Sequence, residues 1–196
     1  MNHRKLLGLF FVFFFLLGAP VSWADTYKVD KDHTAVSFKI RHLFSNVQGS
    51  FRDFEGTVQY DPDKPETWAA SGTIQVASID TNVPERDKHL KSKDFFEVEK
   101  FPTISFKTTK VLSSTKESAK IEGLMTMHGV EKPVVLDVEI HGVGADPWGN
   151  VRAGFTATTK INRKDFGIVY NQVIDKGQLM LGEEVFITIE LEAIKA

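Results

Sequence analysis

Val151-Arg152-Ala153-Gly154-Phe155-Thr156-Ala157-Thr158-Thr159-Lys160-Ile161 is the stretch that decides the fold class. Val, Ala, Phe, Ala, Thr and Ile alternate there with Arg, Gly, Thr, Thr and Lys. Successive side chains of a strand point to opposite faces, so a period of two predicts a β-strand with one apolar face. The pattern continues outward in both directions. Val185, Ile187, Ile189 and Leu191 alternate with Phe186, Thr188 and Glu190 near the C-terminus. Upstream, Val134, Leu136, Val138 and Ile140 form one run, and Ile121, Gly123, Met125 and Met127 another, with Gly129 placed for a tight hairpin between them. Ile104 with Phe106, Gly72 with Ile74 and Val76, and Val36 with Phe38 and Ile40 supply more strands.

Between Val47 and Tyr60 the parity changes. Val47, Gly49 and Phe51 hold one phase and Phe54, Gly56, Val58 and Tyr60 the other, so a bulge or corner is expected at Arg52-Asp53. Unbroken, that segment would reach roughly 45 Å at about 3.3 Å per residue. About eight strands joined by short turns predict an all-β, antiparallel, eight-stranded barrel, a closure that removes exposed edges. The inward faces mix Gly, Ala and Met with Phe, which suits a lined cavity and a packed interior equally. Two segments depart from the period of two. Thr81 to Lys100 reads as a helix, with Thr81 or Asn82 as cap and Pro84 in the first turn. Asn162 to Gly182 reads as a long connection carrying Phe166 and Tyr170.

The chain has 196 residues, 42% hydrophobic and 26% charged, which excludes collagen-like and wholly disordered classes. Residues 1–24 read as a cleaved signal peptide: Arg4 and Lys5, then the apolar run Leu6 to Leu17, then Pro20 and Ser22-Trp23-Ala24. The run is shorter than the roughly 20 residues a membrane span needs, so export without stable membrane insertion is expected. The mature domain is then 25–196. Removing Arg4 and Lys5 from 24 basic residues leaves 22 against 26 acidic ones, a net charge of −4 that offers nucleic acid no electrostatic footprint. The absence of cysteine excludes thiol catalysis and cysteine-bound metals.

The densest polar cluster is Arg86-Asp87-Lys88-His89. It reads first as a solvated helix face and second as a lid over a barrel mouth, with Arg86 and His89 meeting an anionic or polar head group and Leu90, Phe95 and Phe96 capping an apolar interior. An enzyme using Arg86, Asp87 or His89 as acid–base groups remains open, as does a filled barrel acting as an interaction module. The five histidines of the mature chain show no metal-ligand spacing, so no metal or cofactor is expected.

The chain also resembles a known family. Tyr27-Lys28-Val29-Asp30, Gly49-Ser50-Phe51, Phe54-Glu55-Gly56, Asp80-Thr81-Asn82, Glu85-Arg86-Asp87-Lys88-His89-Leu90, Asp94-Phe95-Phe96, Asp146-Pro147-Trp148-Gly149 and Asn162-Arg163-Lys164-Asp165-Phe166-Gly167 follow one another as in the YceI-like, lipocalin-like polyisoprenoid-binding barrels. The resemblance implies a periplasmic barrel that holds one isoprenoid lipid or quinone-like amphiphile without a cofactor, and it is consistent with a homodimer. It places the ligand-binding residues at Phe38, His42, Leu43, Phe51, Phe106, Met125, Phe155 and Phe166, together with Arg86, Asp87, His89, Leu90, Phe95 and Phe96 of the helix block.

Overall fold

The computed structural model describes residues 24–174 and 177–196, so the predicted signal peptide lies outside the described residues except for Ala24. Among the described residues there are eleven strands: β1 (Asp25–Val29), β2 (Ala35–His42), β3 (Ser45–Phe51), β4 (Phe54–Tyr60), β5 (Ala69–Gln75), β6 (Ile79–Asp80), β7 (Thr103–Ser114), β8 (Ser118–Met127), β9 (Val130–Ala145), β10 (Val151–Asn162) and β11 (Leu181–Lys195). They occupy eight barrel positions. β1 and β2 both pair with β11, β4 pairs with β1, and β3 with β2, so the first two positions are each one strand broken in the middle. β5 on β4 and β6 on β3 make the third position in the same way. β7 to β11 follow in chain order, every pairing is antiparallel, and β1 against β11 closes the barrel.

The break between β3 and β4 falls at Arg52-Asp53, as the parity change predicts. Phe51 and Phe54 are three apart and both buried, which an unbroken strand cannot achieve. The displaced backbone still finds partners. The Arg52 N–H donates to the Ser78 carbonyl at 3.2 Å, and the Asp53 carbonyl accepts from the Gln75 N–H at 2.8 Å.

The hairpin at Gly129 joins β8 to β9 through a two-residue loop, with Met127 opposite Val130. Both loop residues have positive φ, His128 at 53° and Gly129 at 74°. That conformation matches the twist of the flanking strands and is natural for glycine but costly for histidine. His128 is held in it from two sides: its Nδ1–H donates to the Phe166 carbonyl at 3.1 Å, and its ring lies 4.6 Å from that of Phe101.

The helix is shorter than the expected span. α1 covers Pro84–Lys91, and 92–101 is a series of turns ending before β7. Ser92 is extended, and Glu97 has φ 46°, which stops helical propagation. Pro84 is in the first turn as expected, but Val83 takes the cap position and makes no side-chain bond. Asp87 explains why. Its Oδ1 accepts the Thr81 N–H at 2.9 Å and the Thr81 hydroxyl at 2.5 Å, so the acid inside the helix satisfies the turn before it.

The end of the barrel away from α1 is tied by one arginine. Arg152 Nε donates to Asp146 at 2.7 Å, and its Nη1 donates to Asp30 at 2.6 Å and Glu192 at 2.5 Å. Three carboxylates from β9's loop, β1's end and β11 thus share one planar donor. Asp146 also accepts the N–H groups of Trp148 and Asn150, which folds the Asp146-Pro147-Trp148-Gly149 motif into a tight turn. Asp30, His33 and Glu192 lie close enough together to suggest a cation site, but Arg152 already supplies the positive charge there.

Arg152, with help from His33, holds the Asp30 carboxyl at about 2, and Arg152 holds Asp146 well below the carboxylate range. A lowered folded-state pKa stabilises the protein above the ordinary carboxylate value of about 4, and that gain is lost as the pH falls toward 2. Arg152→Gln is therefore expected to melt below the wild type at pH 7, with the gap narrowing as the pH falls through that window. Thermal melts by circular dichroism at stepped pH check this. A gap independent of pH would mean that these ion pairs do not stabilise the barrel.

Candidate functional site: an apolar cavity between two aromatic ends

The inward-facing set leaves a cavity of about 610 Å³ inside the barrel. That is within the roughly 300–1,000 Å³ range of small-molecule sites. The interior is therefore a lined space and not a filled one. Its wall is almost wholly apolar and comes from alternate residues of the strands, including Val36, Ile74, Val138, Ala157, Ile187 and Leu191.

Two buried clusters bound it. At the far end Tyr60 packs against Trp68 at 4.8 Å between ring centroids and edge-on against Phe155 at 5.1 Å. Trp68 Nε1–H donates to the Asp61 carbonyl at 2.6 Å, which fixes the indole with its polar edge away from the cavity. At the helix end His89, Phe95 and Tyr170 form a triangle of rings with centroids 4.9–5.1 Å apart. Phe51 meets Phe38 at 5.8 Å and Phe96 at 6.1 Å beside it. Phe106 packs against both clusters. Its ring lies across Gly123, where any Cβ would collide with it, so that glycine makes room for the aromatic wall.

The structure brings together eleven of the fourteen residues singled out from the sequence. Phe38 and His42 of β2, Phe51 of β3, Phe106 of β7, Met125 of β8 and Phe155 of β10 line the cavity, as do Arg86, His89 and Leu90 of α1 and Phe95 and Phe96 beyond it. α1 therefore lies over the cavity and is not simply a solvated face. The other three stand off the wall. Leu43 is in the β2–β3 turn with φ 48°, its N–H donating to the Met180 carbonyl. Asp87 faces Thr81. Phe166 is 2% exposed and packs behind the wall in the helix-end cluster.

The polar groups at the helix end are committed to structure. Arg86 donates from Nε to the Thr81 hydroxyl and from Nη2 to the Thr81 carbonyl, each at 2.8 Å. His89 Nε2 lies 3.0 Å from Asp94 Oδ2. Arg163, absent from the expected set, also lines the cavity although it is only 3% exposed. Burial pushes its guanidinium pKa down. Met180 is likewise a wall residue that pattern reading passed over, and Tyr170, singled out only as part of the long connection, is another. Parity could have found Arg163, since it continues the inward series of Thr159 and Ile161 past the end of β10.

A YceI-like domain model matches residues 27–193, nearly the whole described barrel. The chain belongs to the YceI-like family. Among its relatives, a UPF0312 protein of Pseudomonas putida is 42% identical over 183 residues, covering 92% of each chain. A second, from Pseudomonas savastanoi, is 44% identical over 156 residues, covering 78% of this chain and 81% of the relative. The crystal structure of the Campylobacter jejuni YCEI protein is 37% identical, with a TM-score of 0.69, and covers 85% of this chain and 96% of that one. A polyisoprenoid binding domain from Saccharophagus degradans shares the fold, with a TM-score of 0.65 at 12% identity over 87% of this chain and 98% of that one. The YceI-like assignment agrees with the barrel and with the positions of the family motifs. Asp146-Pro147-Trp148-Gly149 and Asn162-Arg163-Lys164-Asp165-Phe166-Gly167 build the two ends of β10.

Proposed function

We propose that this barrel binds a long-chain isoprenoid or similar amphiphile in its interior and carries it in the periplasm. The observation that carries the reading is the cavity itself, an apolar space bounded by aromatic clusters with α1 over one end. Magnitudes favour a long tail. A five-carbon isoprene unit contributes about 4 kcal/mol when buried, at about 0.8 kcal/mol per methylene-sized group. Association costs about 4–15 kcal/mol, so about one to four units are needed to offset it. No helix of the described residues is long and apolar enough to cross a membrane, in keeping with a carrier that leaves the bilayer. The Leu6 to Leu17 run supports export. The name of the Saccharophagus neighbour, a polyisoprenoid binding domain, points to the same ligand class.

Binding is favoured over catalysis by the state of the polar groups. Arg86 and Asp87 both engage Thr81, and His89 pairs with Asp94, so the acid–base candidates of α1 act as braces of the lid. Native mass spectrometry of the protein purified from periplasm, followed by lipid extraction, tests the reading. A single bound prenyl lipid per chain is the expected result. A bare chain mass that persists after incubation with prenyl lipids would sink it.

A further inference from the structure

Exposed apolar side chains gather on the rim of the helix end. Phe44 is 79% exposed and Val173 70%, and Val169 and Leu179 are exposed beside them. They sit on two segments that touch. Phe44 is in the β2–β3 turn, and its neighbour Leu43 donates its N–H to the Met180 carbonyl at 2.9 Å. Residues 171–174 and 177–181 run antiparallel, with Val173 opposite Leu179 and the Met180 N–H donating to the Gln172 carbonyl at 2.9 Å. Single exposed apolar residues are ordinary, whereas a grouped set marks a surface that meets something apolar.

The turn chemistry points the same way. A two-residue hairpin turn favours Asn and Gly, yet this one holds Leu43 and Phe44, with Leu43 at φ 48°. The backbone carries strain there to present a phenylalanine to the outside. The rim is also continuous with the cavity. Val169 lies between Ile168 and Tyr170, Leu179 precedes Met180, and His42 stands two residues before Phe44; all four of these neighbours line the interior. Cations flank the rim. Arg41 donates from Nε to the Leu43 carbonyl at 2.9 Å. Lys88 and Lys93 are exposed on and just after α1, whose His89 ring packs on Tyr170. None of these three cations is in an ion pair among the described residues. Glu85 is the exposed acid of α1.

We propose that this rim is a membrane-docking surface, through which the barrel exchanges its guest with an anionic phospholipid bilayer. The proposal rests on the carrier reading and adds the place where exchange happens. Phe44 and Val173 enter the boundary between head groups and acyl chains, while Arg41, Lys88 and Lys93 meet lipid phosphates. Continuity with the cavity favours a bilayer over a protein partner. A long apolar tail reaches the wall without crossing water only if the donor's hydrocarbon meets the rim. The other end of the barrel offers no such path. Trp148 is 78% exposed in the β9–β10 turn, but none of residues 146–150 lines the cavity, and Asp146 and Asn150 bond to each other.

The test uses vesicles of phosphatidylethanolamine and phosphatidylglycerol loaded with geranylgeraniol. Transfer of the guest to empty vesicles, and co-sedimentation of guest-free protein with vesicles, are measured for the wild type, Phe44→Ser, Phe44→Ser with Val173→Ser, and Trp148→Ser. All are checked for folding by circular dichroism, and their affinity for geranylgeraniol is measured separately in vesicle-free buffer. The wild-type transfer rate is expected to rise with vesicle concentration and to fall with added salt or when phosphatidylcholine replaces phosphatidylglycerol. Phe44→Ser is expected to lower transfer and co-sedimentation about tenfold, and the double variant further, with affinity in buffer unchanged. Trp148→Ser removes an equally exposed ring from the far end and is expected to change nothing. A rate independent of vesicle concentration overturns the proposal, because the guest then travels through water. So does wild-type behaviour of the double variant, which leaves the rim to a protein partner, or an equal loss in Trp148→Ser. These three results leave the carrier reading standing. If geranylgeraniol does not bind in vesicle-free buffer, the carrier reading fails, while docking is still read from co-sedimentation of the guest-free chain.

Discussion

Ala157→Trp is expected to weaken uptake of a long-chain guest by about tenfold or more while leaving a folded barrel. Ala157 lies mid-strand in β10, opposite Val138 of β9 and Ile189 of β11, and faces the cavity. Its small side chain leaves space that a guest tail would use. An indole there adds a rigid aromatic surface of about 150–250 Å² and turns it into the space instead of into neighbouring side chains. Overpacking a filled core costs about 1–3 kcal/mol, but here the added ring meets a void of about 610 Å³, so the penalty falls below that range. Affinity for geranylgeraniol, read by native mass spectrometry or competition with a fluorescent lipid, is expected to drop by about tenfold or more, since two lost methylene-sized contacts already correspond to roughly that factor. The far-ultraviolet spectrum should not change. Unaltered affinity in the folded variant would mean that the guest does not occupy the mid-barrel space.

Phe166→Ala is expected to act in the opposite manner, on the fold and not on the cavity wall. Phe166 is 2% exposed and belongs to the cluster with Phe95, Met127 and Ile168. Its own carbonyl accepts from His128, the strained residue of the β8–β9 hairpin. Truncating a buried phenylalanine to alanine costs about 3–5 kcal/mol, from lost burial and the hole left behind. Natural domains are stable by only about 5–15 kcal/mol, so much of the margin disappears. Chemical denaturation should show a lower midpoint with a similar slope. A loss below about 1 kcal/mol would mean that the helix end collapses around the missing ring.

The β-strand parity was legible because one face of each strand meets the interior and the other meets water. The inward residues of β10 and β11, from Ala153 to Ile161 and from Val185 to Leu191, could be read directly for that reason. The corner at Arg52-Asp53 was legible on the same ground, as two buried phenylalanines at incompatible spacing. The helix length was not, because residues 92–101 carry no proline before Pro102 and no glycine, and their turns depend on contacts such as the Phe96 N–H with the Leu90 carbonyl. The site was legible where it is apolar and periodic, as at Phe38, Phe106 and Met125. It was obscure where a side chain could face either way. Asp87 turns back to Thr81 through a hydrogen bond that spacing does not announce, and Phe166 packs behind the wall because the turn after β10 rotates it there. Arg163 lies on the inward parity of β10, but charge is read as surface, and its anchoring on two carbonyls shows only in the tertiary structure.

The seam between β1 and β11 has a consequence for biosynthesis. Asp25 and Lys195 pair across a separation of 170 residues, so the first strand made waits for the last. Contacts this distant slow folding, because a long loop must close before they form. A nascent chain halted between β10 and β11 is an open sheet with a bare edge on β10, a template for association with other chains. The barrel thus closes only once β11 is available to pair, and until then its stickiest surface is in the keeping of whatever machinery handles unfolded chains.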